Sequence, residues 1–452
     1  MGYPKGFVEM AANAYGTEEV ERLCSVIAEH QAPVSVRLHP LREGDLSNLD
    51  VVGTVPWCPW GRYLSKRPEF IFDPSFHAGA YYVQEASSMA LYEVVKGCVT
   101  LTPDSRVLDM CASPGGKTTL VASMLPKGAI LLANEVIKTR VGALQENVTR
   151  WGLGNTLVSS CDSSFLARSL GAYFDLVVCD VPCSGEGLWR KNKEAINEWS
   201  VEAVQLCQAR QRRIVENAVA CLAYDGVLIY STCTYNKKEN DDNIAWLLEN
   251  FNLEQIDLQF ILNGVIKTEY GYGFLPSNVI GEGFFIAALK SKNSDSEVVK
   301  QVPNKLLSKS KRNLMEGFNG FGNFKEGCFL GLEEASQSVF VLPDFWIDKH
   351  KTLLDFVRQS AFFTLGILKG KVIIPTQELA YLIDFEFNKD LIINLDKSEA
   401  LIFLRGEVPE GLLGMLGWRL VCFQGLPLGW VKCLGNRANN YLEQKFRILK
   451  RT

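Results

Sequence analysis

Two cysteines stand in polar segments that come directly after apolar, strand-like runs. Cys233 follows the run GVLIY and lies between two threonines. Cys183 follows the strand-like segment at 173–180, and Asp180 comes three residues before it. A cysteine thiolate is a soft nucleophile that is partly available near neutral pH. The two positions therefore predict a reactive pair, whereas the structural alternative is a pair of small buried hydrophobic residues.

The expected strand order brings the two cysteines together. A long amphipathic segment at 194–222 predicts a helix that connects the strand at 173–180 to the strand at 226–233. A right-handed crossover through this helix places the two strands side by side, about 4.8 Å apart. We therefore expect Cys183 and Cys233 to face each other over one edge of the sheet. Three other cysteines are expected to be interior strand or turn residues: Cys111, Cys161 and Cys179.

The segment NKKEN (236–240), just after Cys233, has the pattern of a helix start. Asn236 can cap the next helix, and Glu239, three residues on, can reach back to it in a capping box. Such a cap would fix the loop that carries Cys233.

A second candidate site lies in VLDMCASPGGKTTL (107–120), which has the pattern of a strand, an acidic residue, a Gly-Gly turn and a helix. Ligands of open parallel sheets bind beyond such strand ends, where a helix N-terminus offers free N–H groups. A phosphate-binding P-loop would need glycine at the position of Cys111, and the dinucleotide motif G-x-G-x-x-G is absent. S-adenosylmethionine also binds after the first strand of such sheets and is the third candidate.

Acidic residues end the next two predicted strands. Glu135, 18 residues after Lys117, could accept hydrogen bonds from both ribose hydroxyls of a nucleoside. Asp162 could hold the adenine amine. Acids at strand ends often cap the next helix instead, but an acid or a glycine loop at three successive strand ends favours a nucleoside cofactor.

The chain between residues 79 and 290 alternates between short β-branched runs and longer amphipathic stretches. This alternation predicts βαβ units and a parallel sheet with helices on both faces. The predicted strands are 105–111, 129–136, 156–162, 173–180 and 226–233.

The flanking regions have other patterns. Residues 5–30 predict one or two helices, 34–40 predict a strand, and the Pro- and Trp-rich stretch 51–76 looks loop-like. The Lys- and Ser-rich stretch 291–312 predicts a linker. Residues 313–452 predict a small β-rich domain with strands at KVIIP, LIINL, ALIFLR, RLVCF and LGWVKCLG.

Composition limits the class of protein. The 452 residues are too many for one core, and no apolar run approaches the roughly 18 residues that a membrane span needs. The 13 cysteines form no C-x-x-C pair and the four histidines lie far apart, which predicts a reducing, cytoplasmic setting and no metal site.

The net charge of −4 is unevenly distributed. Residues 290–312 carry seven basic and two acidic side chains, and residues 431–452 carry six and one, so each stretch has a charge of +5. Such patches suit the phosphates of a nucleic acid. A solvated linker and a solvated tail would have the same composition.

Three motifs together resemble one family. DMCASPGGKTT, CDVPCSGEG and YSTCTYNKKEN are similar to the motifs of the Sun/nucleolar-protein family of RNA cytosine-5 methyltransferases, and YYVQEASSMAL (81–91) to the segment that opens its catalytic domain. The stretch 426–447 resembles the tail of bacterial small-subunit rRNA methyltransferases, which carries a PUA-like RNA-binding domain. It departs from that pattern at Val431, where many such tails have glycine.

The resemblance implies an α/β protein with three folded parts. It places a Rossmann-like class I S-adenosylmethionine-dependent methyltransferase domain at 79–290, after an N-terminal α/β RNA-binding extension at 1–78. The linker at 291–312 then leads to a C-terminal β-rich, PUA-like RNA-binding domain at 313–452. The implied partner is RNA, either 16S rRNA or the small ribosomal subunit, bound by a cytoplasmic monomer without a membrane or a metal.

The resemblance also assigns the site residues. Cys233 becomes the nucleophile that adds to carbon 6 of cytosine, Cys183 aids release of the product, and Asp180 acts at N3 of the base. S-adenosylmethionine is expected at Cys111, Ala112, Ser113, Pro114, Gly115, Gly116, Lys117, Glu135, Asp162 and Asp180, with Arg140 near the pocket.

Three alternatives stay open. A tRNA substrate fits the same motifs. A DNA cytosine-5 methyltransferase would use Cys183 itself as the nucleophile and needs no threonine-flanked Cys233. A non-catalytic RNA-binding or ribosome-assembly factor would keep the fold without turnover, and the presence of Cys183, Cys233 and Asp180 argues against it.

Overall fold

The computed structural model describes residues 3–44, 47–258, 263–292, 313–325, 327–357 and 362–450 of the chain. The expected linker at 291–312 falls almost wholly outside these ranges, since the strand before it ends at Ser291. Crossing a bilayer would need a longer and more apolar helix than any that the structure describes.

The N-terminal part forms a helical pair and a small antiparallel sheet. Its elements are α1 (Lys5–Tyr15), α2 (Thr17–Glu29), β1 (Val34–Leu38), β2 (Val51–Thr54), β3 (Gly61–Leu64), α3 (Pro74–His77) and β4 (Tyr81–Val83). The sheet order is β2-β3-β1-β4. The helices and β1 confirm the predictions for this part, but the loop-like prediction for 51–76 is wrong. That stretch holds two strands and a helix that begins where the Asp73 side chain accepts from the N–H of Ser75.

In the described part of the chain, nine strands form a mixed sheet at the centre of the molecule. Its strands and the neighbouring helices are α4 (Leu91–Cys98), β5 (Arg106–Asp109), α5 (Gly116–Met124), β6 (Ile130–Asn134), α6 (Lys138–Trp151), β7 (Thr156–Ser159), α7 (Ser163–Ser169), β8 (Phe174–Asp180), α8 (Ala195–Glu198), α9 (Val201–Cys221), β9 (Leu222–Thr232), α10 (Asp241–Asn250), β10 (Leu253–Gln255), β11 (Ile266–Lys267), β12 (Tyr272–Phe274) and β13 (Phe284–Ser291).

The order of the parallel strands confirms the predicted Rossmann-like fold. They follow one another as β7-β6-β5-β8-β9, and β13 pairs antiparallel with β9. The chain moves outward from β5 to β7 and then returns to β8 on the other side of β5. Ligands bind at such a reversal, beyond the carboxyl ends of the strands. The loops after β5 and β8 meet at this position.

Apolar residues on both faces of the sheet explain why helices cover it. All five residues of β6 are buried. Val215 of α9 packs in the core on one face and Leu120 of α5 in the core on the other. The single helix predicted at 194–222 is wrong: the Ser200 hydroxyl accepts from the N–H of Ala203 at 3.1 Å and starts α9 as a separate helix after α8.

The C-terminal part is rich in strands, as predicted. Its elements are α11 (Asn313–Phe318), β14 (Gly322–Phe324), β15 (Cys328–Glu333), β16 (Ser338–Pro343), α12 (Asp344–Lys349), α13 (Lys351–Phe356), β17 (Phe363–Lys369), β18 (Val372–Pro375), α14 (Gln377–Tyr381), β19 (Phe385–Phe387), β20 (Ile392–Leu395), α15 (Lys397–Leu404), β21 (Leu416–Phe423), β22 (Leu426–Leu434) and β23 (Ala438–Asn440). The sheet orders are β14-β19, β15-β16-β17-β18 and β20-β21-β22-β23.

One strand predicted in this part is wrong. The run ALIFLR lies in and just after the helix α15. The Asp396 side chain accepts from the backbone N–H of Glu399, and the Glu399 carboxylate reaches back to the N–H of Asp396. This capping box satisfies backbone donors of the first turn and favours a helix over a strand.

A buried arginine connects the three parts of the molecule. Arg42 is 8% exposed. Its Nη1 donates to the carbonyls of Ala78 and Arg150, and its Nη2 donates to the carbonyl of Tyr381 in the C-terminal part at 2.6 Å. One guanidinium therefore contacts the N-terminal sheet region, α6 and α14.

Candidate active site

The loop between β5 and α5 lies at the reversal of strand order. Gly115 has a φ of 110°, a conformation that favours glycine, and a Cβ atom there would lie 3.3 Å from Cδ1 of Leu144. The helix α5 begins at Gly116, so its first N–H groups have no partners within the helix. The backbone of this loop can therefore approach a ligand closely.

Asp109 ends β5 and is buried, with 1% of its surface exposed. Its Oδ2 accepts from the hydroxyl of Thr118 at 2.7 Å, whereas its Oδ1 has no hydrogen-bond partner among the residues that the structure describes. Burial raises the pKa of Asp109 to about 7. A buried acceptor without a donor is costly, so this oxygen suits a donor or cationic group of a ligand. Asp109 is not among the site residues predicted from the sequence, although an acid that ends an apolar strand is a visible signal.

Glu135 directly follows β6 and is 3% exposed. Its Oε1 accepts from the N–H of Ile137 at 2.8 Å, and Nη1 of Arg140 lies 3.5 Å from its Oε2. Arg140 also donates from Nη2 to the carbonyl of Ser113 at 2.7 Å. Arg140 therefore joins Glu135 to the loop after β5, which brings these predicted site residues together.

Asp162 follows β7 on the surface and caps α7. Its Oδ1 accepts from the N–H of Ser164 at 2.9 Å and from the hydroxyl of Ser164 at 2.6 Å. These hydrogen bonds lower the pKa of Asp162. The capping function is the alternative that the sequence analysis named, and the adenine contact stays a prediction.

An ion pair connects the loop after β5 to the end of β8. Lys117 donates from Nζ to Oδ2 of Asp180 at 2.8 Å, and the hydroxyl of Ser231 donates to Oδ1 of Asp180 at 2.8 Å. Burial acts to lower the pKa of Lys117, but the Asp180 carboxylate more than offsets it, so the pKa is raised. Lys117 is thus a charged ammonium group held between the candidate cofactor loop and the two cysteines.

The two cysteines meet as the strand order predicted. β8 and β9 are adjacent and parallel, with Asp180 opposite Ser231. The Sγ atoms of Cys183 and Cys233 lie 3.2 Å apart, and both thiols are free. The hydrogen bond to Cys233 and burial raise the pKa of the Cys183 thiol well above its usual value. Cys183 is therefore held as a neutral thiol beside Cys233.

A buried polar network adjoins the loop of Cys183, and the sequence motifs do not predict it. Glu239 and Glu186 are both fully buried, and the amide of Asn236 donates to each carboxylate, at 2.8 Å and 2.9 Å. Burial, and then the charge of Glu186, raise the pKa of Glu239 to about 7. The predicted cap is present in part, because the N–H of Glu239 donates to Oδ1 of Asn236 at 2.9 Å. The predicted helix start is wrong, because 237–240 form a turn and α10 begins at Asp241.

The three other cysteines of this region lie in the core or against it. Cys179 is fully buried in β8, while Cys111 and Cys161 are partly buried against the core. Across the described ranges, no three His, Cys, Asp or Glu side chains are grouped as the ligands of a metal ion would be.

Family models match three stretches of the chain. Residues 3–86 match the N-terminal domain of 16S rRNA methyltransferase RsmF, residues 98–290 match 16S rRNA methyltransferase RsmB/F, and residues 391–448 match the methyltransferase RsmF PUA domain. The fold and the site define an S-adenosylmethionine-dependent methyltransferase of the Rossmann-like class. The chain belongs to the RsmB/F family of RNA cytosine-5 methyltransferases.

Curated relatives named ribosomal RNA small subunit methyltransferase F support this assignment. The protein of Shewanella putrefaciens is 30% identical over 425 residues, which cover 86% of this chain and 83% of that protein. The protein of Psychromonas ingrahamii is 36% identical over 248 residues, which cover 53% of this chain and 52% of that protein. The second alignment thus spans about half of that relative.

Solved structures share the fold. A methyltransferase homolog from Pyrococcus horikoshii superposes with a TM-score of 0.54 at 27% identity, covering 64% of this chain and 96% of that one. NSun6 from Pyrococcus horikoshii with SFG gives a TM-score of 0.55, covering 64% and 99%, and at 19% identity it supports the fold alone.

Proposed function

We propose that this protein forms 5-methylcytosine in 16S rRNA, with Cys233 as the nucleophile and Cys183 as the residue that aids release. The observation that carries the proposal is the 3.2 Å separation of the two thiols at the ends of adjacent parallel strands.

The proposed chemistry explains why these residue types are needed. Carbon 5 of cytosine is too electron-poor to take a methyl group directly. Addition of the Cys233 thiolate to carbon 6 forms a C–S bond, opens the C5–C6 double bond and makes carbon 5 nucleophilic. Asp180, protonated at the expense of the Lys117 ammonium that donates to it, would hydrogen-bond or protonate N3 and stabilise the charge that develops on the ring.

Release of the product needs a second group. After methylation, carbon 5 carries a proton that must leave, and its bonding electrons re-form the C5–C6 double bond and expel the Cys233 thiolate. Cys183 lies 3.2 Å from Cys233. As a neutral thiol, it is placed to pass this proton on to a base rather than to accept it outright.

The residues around the loop after β5 fit S-adenosylmethionine, which supplies the methyl group when bound. The buried carboxylate of Glu135 suits ribose hydroxyls. The unpartnered Oδ1 of Asp109 suits a cationic or donor group. Arg140 and Ser113 hold the loop in place through the 2.7 Å hydrogen bond between them.

The names of the relatives and the PUA-domain match support 16S rRNA as the substrate. The target base must be unstacked to reach Cys233, so we infer a loop or a flipped nucleotide, in free rRNA or in the small subunit. The free thiols support a cytoplasmic setting. We further propose that the protein acts as a monomer.

Bisulfite sequencing of total RNA tests the substrate. In cells without the protein, we expect at least one cytosine of 16S rRNA to lose its resistance to bisulfite, because 5-methylcytosine is no longer formed there. Adding back the protein should restore the resistance, and adding back Cys233→Ala should not. If only cytosines of tRNA lose their resistance, tRNA is the substrate in place of rRNA. If no cytosine of any RNA changes, the proposal is contradicted.

Calorimetry tests the cofactor residues. Glu135→Ala is expected to lower the affinity for S-adenosylmethionine about tenfold or more, since two hydrogen bonds to a charged group are lost. Asp162→Asn keeps a good helix cap but removes the carboxylate, so a several-fold loss there would support the adenine contact. Unchanged affinity in Glu135→Ala would move the cofactor site elsewhere.

A further inference from the structure

The peptide of Cys183 is held on both sides by two fully buried side chains. Before Cys183, the carbonyl of Pro182 accepts from Nε2 of Gln211 at 2.9 Å. After Cys183, the N–H of Ser184 donates to Oε2 of Glu239 at 3.1 Å. The two clamping groups are joined, because Nε2 of Gln211 also donates to Oε2 of Glu239 at 2.6 Å.

Further hydrogen bonds fix the orientation of this clamp. Oε1 of Gln211 accepts from Nδ2 of Asn243 at 2.8 Å, so the Gln211 amide can present its donors only toward Pro182 and Glu239. The carboxylate of Glu239 also accepts from the amide of Asn236 at 2.8 Å. All of these partners are donors, so they favour the ionised carboxylate against the burial that raises the pKa of Glu239 to about 7.

The clamp comes from two different elements of the fold. Gln211 belongs to α9, and Glu239 belongs to the turn that follows Cys233. The carboxylate thus connects the segment that carries the nucleophile to the backbone of the loop that carries Cys183. A shift of either segment would change the 3.2 Å distance between the thiols.

We propose that Glu239 and Gln211 are positioning residues that hold the Cys183 thiol where product release requires it. The inference rests on the function proposed for Cys183. Proton removal is sensitive to distance, and a displacement of about 1 Å can lower a rate by about 100-fold. The first addition and methyl transfer depend on Cys233 and Asp180, which the clamp does not contact directly.

Glu239→Gln tests the clamp because it places an amide N–H₂ opposite at least one donor. We expect methyl transfer in a single turnover to stay within about threefold of the wild type, while release slows by between about 10- and 100-fold. A covalent complex between Cys233 and RNA should then accumulate on a denaturing gel. Gln211→Met, on the other element, should give the same complex, and Cys233→Ala added to either variant should abolish it.

Asp241→Asn is the matched control. Asp241 is 2% exposed and lies two residues after Glu239, but it accepts from the Thr268 hydroxyl and the N–H of Tyr270 at 2.7 Å and 2.8 Å, away from Cys183. The Asp241→Asn variant should therefore release RNA at the rate of the wild type.

A general loss of structure would lower product and covalent complex together, which would overturn the inference because positioning predicts more complex. If both clamp variants release RNA like the wild type while Cys183→Ala traps a complex, the positioning function of Glu239 and Gln211 is overturned and the function of Cys183 is not. Absence of a trapped complex in Cys183→Ala would overturn the function proposed for Cys183 as well.

Discussion

Cys183→Ala is expected to stall on its RNA as a covalent complex that survives denaturing gel electrophoresis. If Cys233 attacks carbon 6, the variant still forms the C–S bond and still transfers the methyl group, but it lacks the group that aids release. Cys233→Ala should form no complex, and its turnover should fall on the order of 1000-fold or more because the covalent step is lost. Labelled 16S rRNA and the two single variants on one gel give both results.

The pattern of bands separates three explanations. If both cysteines served only for packing, each substitution would lower stability by about 1–2 kcal/mol, and neither variant would give a covalent complex. Exchanged functions, as in DNA cytosine-5 methyltransferases, would give the complex in Cys233→Ala instead. The double variant should show no band, and Cys98→Ala, a partly buried cysteine at the end of α4, should behave like the wild type.

The parts of the site that the sequence predicted are those set by local pattern and strand order. Cys183 and Cys233 each follow an apolar run, and a right-handed crossover makes the two strands neighbours. Once β8 and β9 are adjacent, Asp180 lies opposite Ser231, and the loops that carry the two cysteines leave the sheet at the same edge. The Gly-Gly loop after β5 could be predicted for the same reason.

The buried polar contacts could not be predicted, because they join residues that are distant in sequence. Lys117 and Asp180 are 63 residues apart, and Ser184 and Glu239 are 55 apart. Glu239 looked like part of a local capping box, since N-x-x-E is a common helix start. The N–H of Glu239 does donate to Oδ1 of Asn236, but the carboxylate also bonds across to the Cys183 loop, and α10 begins only at Asp241.

Short apolar runs misled the prediction in the C-terminal part. ALIFLR is too short for its periodicity to distinguish a buried strand from a buried helix. The deciding signal was outside the run, in the capping pair Asp396 and Glu399. The prediction for 51–76 was wrong in the opposite sense, because its prolines and aromatic residues predicted a loop. Trp57 and Tyr63 are buried in the core and order the chain around them.

Asp180→Asn is expected to lower the rate of methyl transfer by about 10²- to 10⁴-fold at saturating cofactor. The carboxyl group is proposed to pass a proton from Lys117 to N3 as Cys233 adds to carbon 6, and an amide could hydrogen-bond N3 but could not relay that proton. Single-turnover kinetics measures this step. The matched control is Asp175→Asn in the same strand, where the carboxylate pairs with Arg106 at 2.7 Å.

The asparagine variant isolates the proton because it keeps most of the local contacts. In Asp180, Oδ1 accepts from the Ser231 hydroxyl and Oδ2 accepts from Lys117. An amide oxygen can still accept from one of these donors, so the strand end should stay in place. Because addition to carbon 6 should be slower, the double variant with Cys183→Ala and Asp180→Asn should give less covalent complex than Cys183→Ala alone. A wild-type rate at saturating cofactor, with the complex undiminished, would show that Asp180 only anchors Lys117.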